Sequence, residues 1–100
     1  MEAAAGAQTV LITISGDLDL DTIDLTRQHI RHALSNISPT RIVLDLSQVT
    51  FMGSIGLALL LELRDTATAA GTALVLRGAK RRIIARPLEV TGLIHLFVLE

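Results

Sequence analysis

Stretches typical of β-strands alternate with stretches typical of α-helices along this 100-residue chain. Residues 9–15 alternate apolar and polar side chains, as a half-buried strand does, and residues 41–46 form the nearly continuous apolar run of a strand covered on both faces. Further strands are predicted at 73–77 and 96–99. Because short connections join elements of alternating type, the sequence predicts one α/β domain with a mostly parallel four-stranded sheet and interspersed helices.

The segments between these strands carry helical spacing and helix-end signals. The first helix is predicted from about 22 to 36, and the second from 54 to about 70, where Gly71 suits the residue just past a helix end. The third begins near residue 80 and meets Pro87, which has no N–H to donate. We therefore expect a kink or break there, followed by a last turn.

Composition and charge narrow the classes of protein further. Residues 1–8 are rich in Ala and Gly and are interpreted as a loose lead-in, with residues 9–100 forming the domain. The net charge of −1 lacks the basic excess of nucleic-acid binders, and the absence of cysteine excludes disulfides and thiolate metal sites. No signal peptide or membrane-spanning segment is apparent, so a soluble cytoplasmic protein without membrane insertion is expected.

Catalytic and metal-binding patterns are weak. His29 and His32 lie three residues apart on the first predicted helix, but the sequence offers no third ligand, so exposed helix positions are the better interpretation. The segment 53–56, Gly-Ser-Ile-Gly, lacks the Gly-x-Ser-x-Gly spacing of a hydrolase nucleophile, and no phosphate-binding loop is present. We therefore expect neither an enzyme nor a bound cofactor or metal.

The segment 45–57 is the most informative part of the chain. A buried strand is predicted to leave the core at Leu46, cross a short loop and lead into a helix at Ser54. One interpretation makes Ser54 only the N-cap of that helix, worth roughly 1 kcal/mol. The other follows from a helical wheel, which places Ser54 and Ile55 opposite the leucine-rich face, so that an exposed apolar side chain lies beside an accessible hydroxyl.

Four segments resemble, in order and with similar spacing, the STAS domain family and within it the anti-sigma factor antagonists. They are 16–19 (GDLD), 43–52 (VLDLSQVTFM), 53–57 (GSIGL) and 87–93 (PLEVTGL). The resemblance implies a bacterial regulator of transcription that binds an anti-sigma factor, which is also a serine kinase. Phosphorylation at the position of Ser54 would break that complex, and a separate phosphatase would restore it.

The partner surface implied by the resemblance lies where two strands end at one edge of the sheet. Its residues are Asp17, Asp19, Gly53, Ser54, Ile55, Gly56 and Ala58, with Ser54 as the phosphorylated residue. The chain departs from the family at two of these positions. Gly53 stands where the family usually has Asp, and Ile55 replaces a second Ser or Thr, so Ser54 is the only hydroxyl in the motif.

Both ends are short for the family, which has an additional N-terminal strand and a C-terminal helix that would lie beyond Glu100. Either the chain is trimmed, or a sheet edge and one face of the core are covered by a partner, including a second copy joined through a sheet edge. An alternative function stays open: a STAS accessory subunit that docks on a transport system without phosphorylation. Ser54 would then be only a helix cap.

Overall fold

In a computed structural model of the chain, residues 8–100 are described, and they form one sheet with helices packed against it. The elements are β1 (Thr9–Leu18), α1 (Ile23–Ala33), β2 (Arg41–Met52), α2 (Ser54–Ala69), β3 (Ala73–Arg77), α3 (Arg82–Val90), a 3₁₀ turn (Ile94–Leu96) and β4 (Val98–Leu99). The strand order is β1-β2-β3-β4 and each neighbouring pair is parallel, which confirms the predicted fold class. Most of the expected lead-in, residues 1–7, lies outside the described residues.

One apolar cluster joins the helices to a single face of the sheet. Ile12, Leu44 and Leu76 stand side by side on neighbouring strands, and they share a core with Leu60 of α2 and Ile84 of α3. All five side chains are almost completely buried. Successive right-handed crossovers in one direction across a sheet put their helices on the same face, which accounts for the single core.

The opposite face of the sheet bears the odd-numbered residues of 9–13, 41–45 and 73–77, together with Val98 and Glu100. None of them belongs to the core cluster shared with the helices. We call this surface the open face. It divides the molecule into a densely packed side and a side that the described helices leave uncovered.

The first two strands run further than the apolar pattern predicts. β1 reaches Leu18 and β2 reaches Met52, so the loop expected after Leu46 is wrong. The register shifts twice, between Thr13 and Ser15 and between Gly16 and Asp17, and each shift leaves one extra residue in β2. Pairing resumes beyond each bulge, and the extra residues interrupt the regular alternation by which a strand is recognised in a sequence.

The third helix continues through its proline. α3 is unbroken across Pro87, contrary to the break expected from the sequence. Ile84 and Leu88 lie one turn apart and are completely buried, so core packing holds both halves of the helix in line. The backbone N–H and the hydroxyl of Thr91 both donate to the Pro87 carbonyl oxygen, at 3.2 and 2.7 Å, and complete the last turn.

The other boundaries differ only in length. α1 is shorter than predicted, β4 is reduced to two residues because the 3₁₀ turn takes up 94–96, and α2 closely matches its prediction. Gly71 follows α2 with φ of +72°, and the N–H of Thr72 donates to the Ala67 carbonyl at 2.8 Å. This is the glycine-dependent helix end expected from the sequence.

Candidate functional site

Ser54 is the first residue of α2 and does not cap it. The N-cap is Gly53, whose backbone is extended (φ −85°, ψ −176°) and whose carbonyl accepts the N–H groups of Gly56 and Leu57 at 3.0 and 3.2 Å. The interpretation of Ser54 as the N-cap is therefore wrong. Its side chain is exposed, and the helix does not depend on its hydroxyl for capping.

The pairing of β1 with β2 brings the start of α2 against the turn that follows β1. Leu18 pairs with Met52 at the carboxyl edge of the sheet, and the N–H of Gly53 donates to the Leu18 carbonyl at 3.0 Å. A shallow cleft of about 610 Å³ opens between the two segments. It is lined by Asp19, Leu20, Asp21, Gly53, Ser54, Ile55 and Ala58, which we call the Ser54 surface.

The turn after β1 is fixed by Asp19. Its carboxylate accepts the backbone N–H groups of Asp21 and Thr22 at 3.0 and 3.1 Å, and its carbonyl accepts the N–H of Ile23 at 2.9 Å. These bonds close the turn and start α1. The structural role of Asp19 is thus to hold Leu20 and Asp21 at the mouth of the cleft.

Two other residues predicted for the partner surface lie outside the cleft lining. The Asp17 carboxylate accepts the hydroxyl of Thr50, while its backbone carbonyl accepts the hydroxyl of Thr22, so Asp17 ties the ends of β1 and β2 to α1. Gly56 is buried, and a Cβ there would lie 2.8 Å from the Met52 Cγ. A glycine at this position allows α2 to approach the strands closely enough to present Ser54.

The sequence pattern missed two exposed apolar side chains near Ser54. Leu20 is 79% exposed, and Phe51 is 49% exposed with its ring 3.3 Å from where a Cβ of Gly53 would lie. Ile55 is half-buried and packs against the core, so its expected full exposure is only partly right. A leucine between two aspartates, which continues the even-numbered apolar alternation of β1 beyond Leu18, was the signal available in the sequence.

The charges around the Ser54 surface allow an anion there only as long as the anion is solvated. Its charged side chains, Asp19 and Asp21, are both acidic. The N-terminus of α2 favours negative charge, and its first turn contains no acidic residue. A negative group on Ser54 would therefore be tolerated by the helix but would face two carboxylates without a cation among the residues that line the cleft.

Metal binding gains no support from the described part of the chain. His29 and His32 are exposed on α1, and residues 8–100 contain no group of three or more His, Cys, Asp or Glu side chains placed to hold a metal ion. Among the same residues, every helix is too short or too polar to cross a bilayer.

A model of the STAS domain family matches residues 1–100. The chain belongs to the STAS domain family. An anti-sigma factor antagonist from Mycobacterium paratuberculosis is 33% identical, with a TM-score of 0.73 over 91% of this chain and 75% of that chain. The resemblance drawn from the four sequence segments is thereby confirmed at the level of the family.

Two more distant structures share the fold of this STAS domain. A sulfate transporter family protein from Wolinella succinogenes is 20% identical, with a TM-score of 0.74 over 91% of this chain and 75% of that chain. The anti-sigma factor antagonist SpoIIAA in its unphosphorylated form is 22% identical, with a TM-score of 0.72 over 93% of this chain and 80% of that chain. At these identities the likeness describes the fold alone.

Proposed function

We propose that this STAS domain is an anti-sigma factor antagonist, a binding protein rather than an enzyme. It binds an anti-sigma factor of the serine kinase type through the Ser54 surface, and phosphorylation of Ser54 ends the binding. The observation that carries this proposal is an exposed hydroxyl that the helix does not need as a cap, set among exposed apolar side chains. The 33% identity with a named antagonist supports the same assignment.

The switch follows from the surroundings of Ser54. A phosphate adds about −1.5 to −2 charge at neutral pH. In the free domain this charge is solvated and favoured by the α2 N-terminus, so the fold is retained. In a complex the charge would be covered by the partner, between Leu20 and Ile55 and beside two carboxylates. Desolvation and repulsion then act against the complex alone.

A second candidate is an accessory domain that docks on a transport system. The shared fold with a sulfate transporter family protein favours it, although only as a fold. In that role the same apolar surface binds a transporter component and Ser54 is never modified. The two candidates therefore differ in whether a cognate kinase phosphorylates Ser54.

Incubation with the anti-sigma factor kinase and ATP, followed by mass spectrometry, tests the modification. The parent should gain one phosphate on Ser54, and Ser54→Ala should gain none. The folding stability of Ser54→Ala should stay within about 0.5 kcal/mol of the parent, because Gly53 caps the helix. Phosphorylation of Ser54→Ala would assign the modification to another residue, and an unmodified parent would favour the transport candidate.

Titration of variants against the anti-sigma factor tests the interface. Ser54→Asp and Ile55→Asp should each weaken binding by about tenfold or more, since each places an unpaired charge in the contact, while Ser54→Ala should bind like the parent. Val90→Asp is the matched control, since Val90 is an exposed apolar residue at the far end of α3. Parent-like binding by both Ser54→Asp and Ile55→Asp would remove this surface from the interface.

A further inference from the structure

The open face of the sheet contains an unbroken apolar row across all four strands. Leu11 pairs with Val43, Val43 with Val75, and Val75 with Val98. The two outer side chains are 55% and 62% exposed, whereas the two inner ones are 2% and 7% exposed. The described helices pack on the other face, so among residues 8–100 it is side chains of the open face that lie beside Val43 and Val75.

An ion pair crosses the apolar row. Arg41 lies one row before Val43, and Glu100 lies one row beyond Val98 on the other side of the face. Their side chains nevertheless meet, with Arg41 Nη2 3.5 Å from Glu100 Oε2. The two side chains together therefore span the row that contains the inner valines.

Glu100 is held by a second arginine. Arg77 Nε donates to Glu100 Oε1 at 2.7 Å, so two guanidinium groups converge on one carboxylate. All three side chains remain between 41% and 46% exposed. Exposed ion pairs contribute little to stability, so an incoming charged group can displace this pairing.

We propose that the open face is a second docking surface, which takes one amphipathic helix of a partner protein. The helix lays apolar side chains along the row from Leu11 to Val98 and places a Glu or Asp between Arg41 and Arg77. In the free domain Glu100 occupies the position of that partner carboxylate. This surface is separate from the Ser54 surface, and the proposal does not depend on phosphorylation.

The dimensions of the face favour a helix over a second copy. Across the strands the face is about 14 Å wide, and along the strands four residues span about 13 Å. The area between the outermost Cα positions is therefore roughly 200 Å², and the side chains at the border bring it to about twice that value. A stable dimer buries about 800 Å² on each copy. A helix about 10–12 Å wide covers the face in about three turns.

The charges of the face favour an acidic helix over a basic one. Among residues 8–100, Arg41 and Arg77 both form their ion pairs with Glu100, whereas the Asp45 carboxylate accepts the N–H of Ser47 at 2.9 Å and interacts with Arg77 only through its charge. An incoming carboxylate gains two guanidinium groups and frees Glu100 to water. An incoming cation would have to compete with both arginines for the same carboxylate, at a cost in repulsion.

Two synthetic peptides serve as probes. Each is a 14-residue helix with leucines at positions i, i+3 and i+7, and they differ only in a Glu or a Gln beside the leucines. NMR titration of the labelled protein should shift the amides of all four strands, with the Gln peptide about three- to tenfold weaker. The variant Glu100→Gln should bind the Glu peptide several-fold more tightly, because the internal competitor is gone.

Matched variants separate this surface from the other one. Val98→Asp should weaken the Glu peptide by about tenfold, while Val90→Asp and Ser54→Asp should leave its affinity unchanged. Equal binding of the two peptides, unchanged or weaker binding by Glu100→Gln, or amide shifts confined to α1 and α2 would each overturn the proposal. Concentration-dependent dimers that Val98→Asp abolishes in sedimentation would assign the face to a second copy instead.

Discussion

The Ser54 surface and the open face both expose apolar side chains beside polar groups, yet their polar groups are in opposite states. Around Ser54 the hydroxyl is neutral and the charged side chains that line the cleft, Asp19 and Asp21, are of one sign. On the open face the charges are of both signs and are already paired, through Arg41, Arg77 and Glu100. One surface can therefore be altered by adding a charge, and the other by removing one.

The two surfaces should respond differently to a change of charge. A phosphate on Ser54 has no internal partner among the residues that line its cleft, so its whole effect falls on whatever covers that cleft. A charge change on the open face is shared among three side chains that remain in water, so its effect on the free domain is small. We therefore expect modification of the Ser54 surface to change binding sharply. At the open face we expect the charges to select which helix binds.

The largest effect is expected from Leu60→Ala, which damages the core under both surfaces. Leu60 is 1% exposed in the middle of α2, so truncation should lower the free energy of unfolding by about 2–5 kcal/mol. Chemical denaturation measures this loss. Leu25→Ala is the matched control, since Leu25 is exposed on α1 and its truncation should cost less than about 0.5 kcal/mol. Equal midpoints for the two variants would mean that α2 packs through another face.

The variant Gly56→Ala should weaken binding at the Ser54 surface without changing binding at the open face. The added Cβ would lie 2.8 Å from Met52 Cγ and 2.9 Å from Leu18 Cβ, so the start of α2 must shift away from the strands. The clash should outweigh the helix propensity gained, with a net loss of about 1–2 kcal/mol. Binding through Ser54 should weaken beyond this loss, while the affinity of the open face for the Glu peptide should not change. A parallel loss at both surfaces would show global unfolding instead.

The fold could be predicted from the sequence because its periodic signals agree with one another. Alternating and continuous apolar runs gave the strands, and Gly71 gave the end of α2. What could not be predicted were features decided by tertiary contacts. β2 continues past Leu46, where its continuous apolar run ends, because β1 supplies backbone partners as far as Leu18, and α3 continues past Pro87 because the core holds it in place.

The candidate site could be predicted in position but not in detail. The resemblance and the wheel placed Ser54 at an exposed helix start, where the structure also puts it. The exposure of Leu20 and Phe51 depends on how the turn after β1 packs against α2, which the sequence pattern does not show. The open face was beyond prediction, because its ion pairs join residues of three different strand regions.

The smallest predicted effect is a pH dependence that belongs to the open face alone. The hydrogen bond from Arg77, with the charges of Arg77 and Arg41, holds the pKa of Glu100 below its ordinary value of 4.5. A carboxylate whose pKa is lower in the folded state contributes stability above its unfolded pKa and loses it as the pH falls through the folded pKa. The contribution should therefore be present at neutral pH and fade below about pH 4.5.

Denaturation curves of the parent and Glu100→Gln between pH 7 and pH 3 measure this contribution. The parent should be slightly more stable at pH 7, and the two midpoints should converge as the pH falls, because protonated Glu100 no longer pairs with the arginines. Ser54→Ala should follow the parent throughout, since its hydroxyl does not titrate in this range. A gap between parent and Glu100→Gln that persisted at pH 3 would show that Glu100 acts through packing over the valines rather than through its charge. The open face would then present an apolar contact without selectivity for an acidic helix.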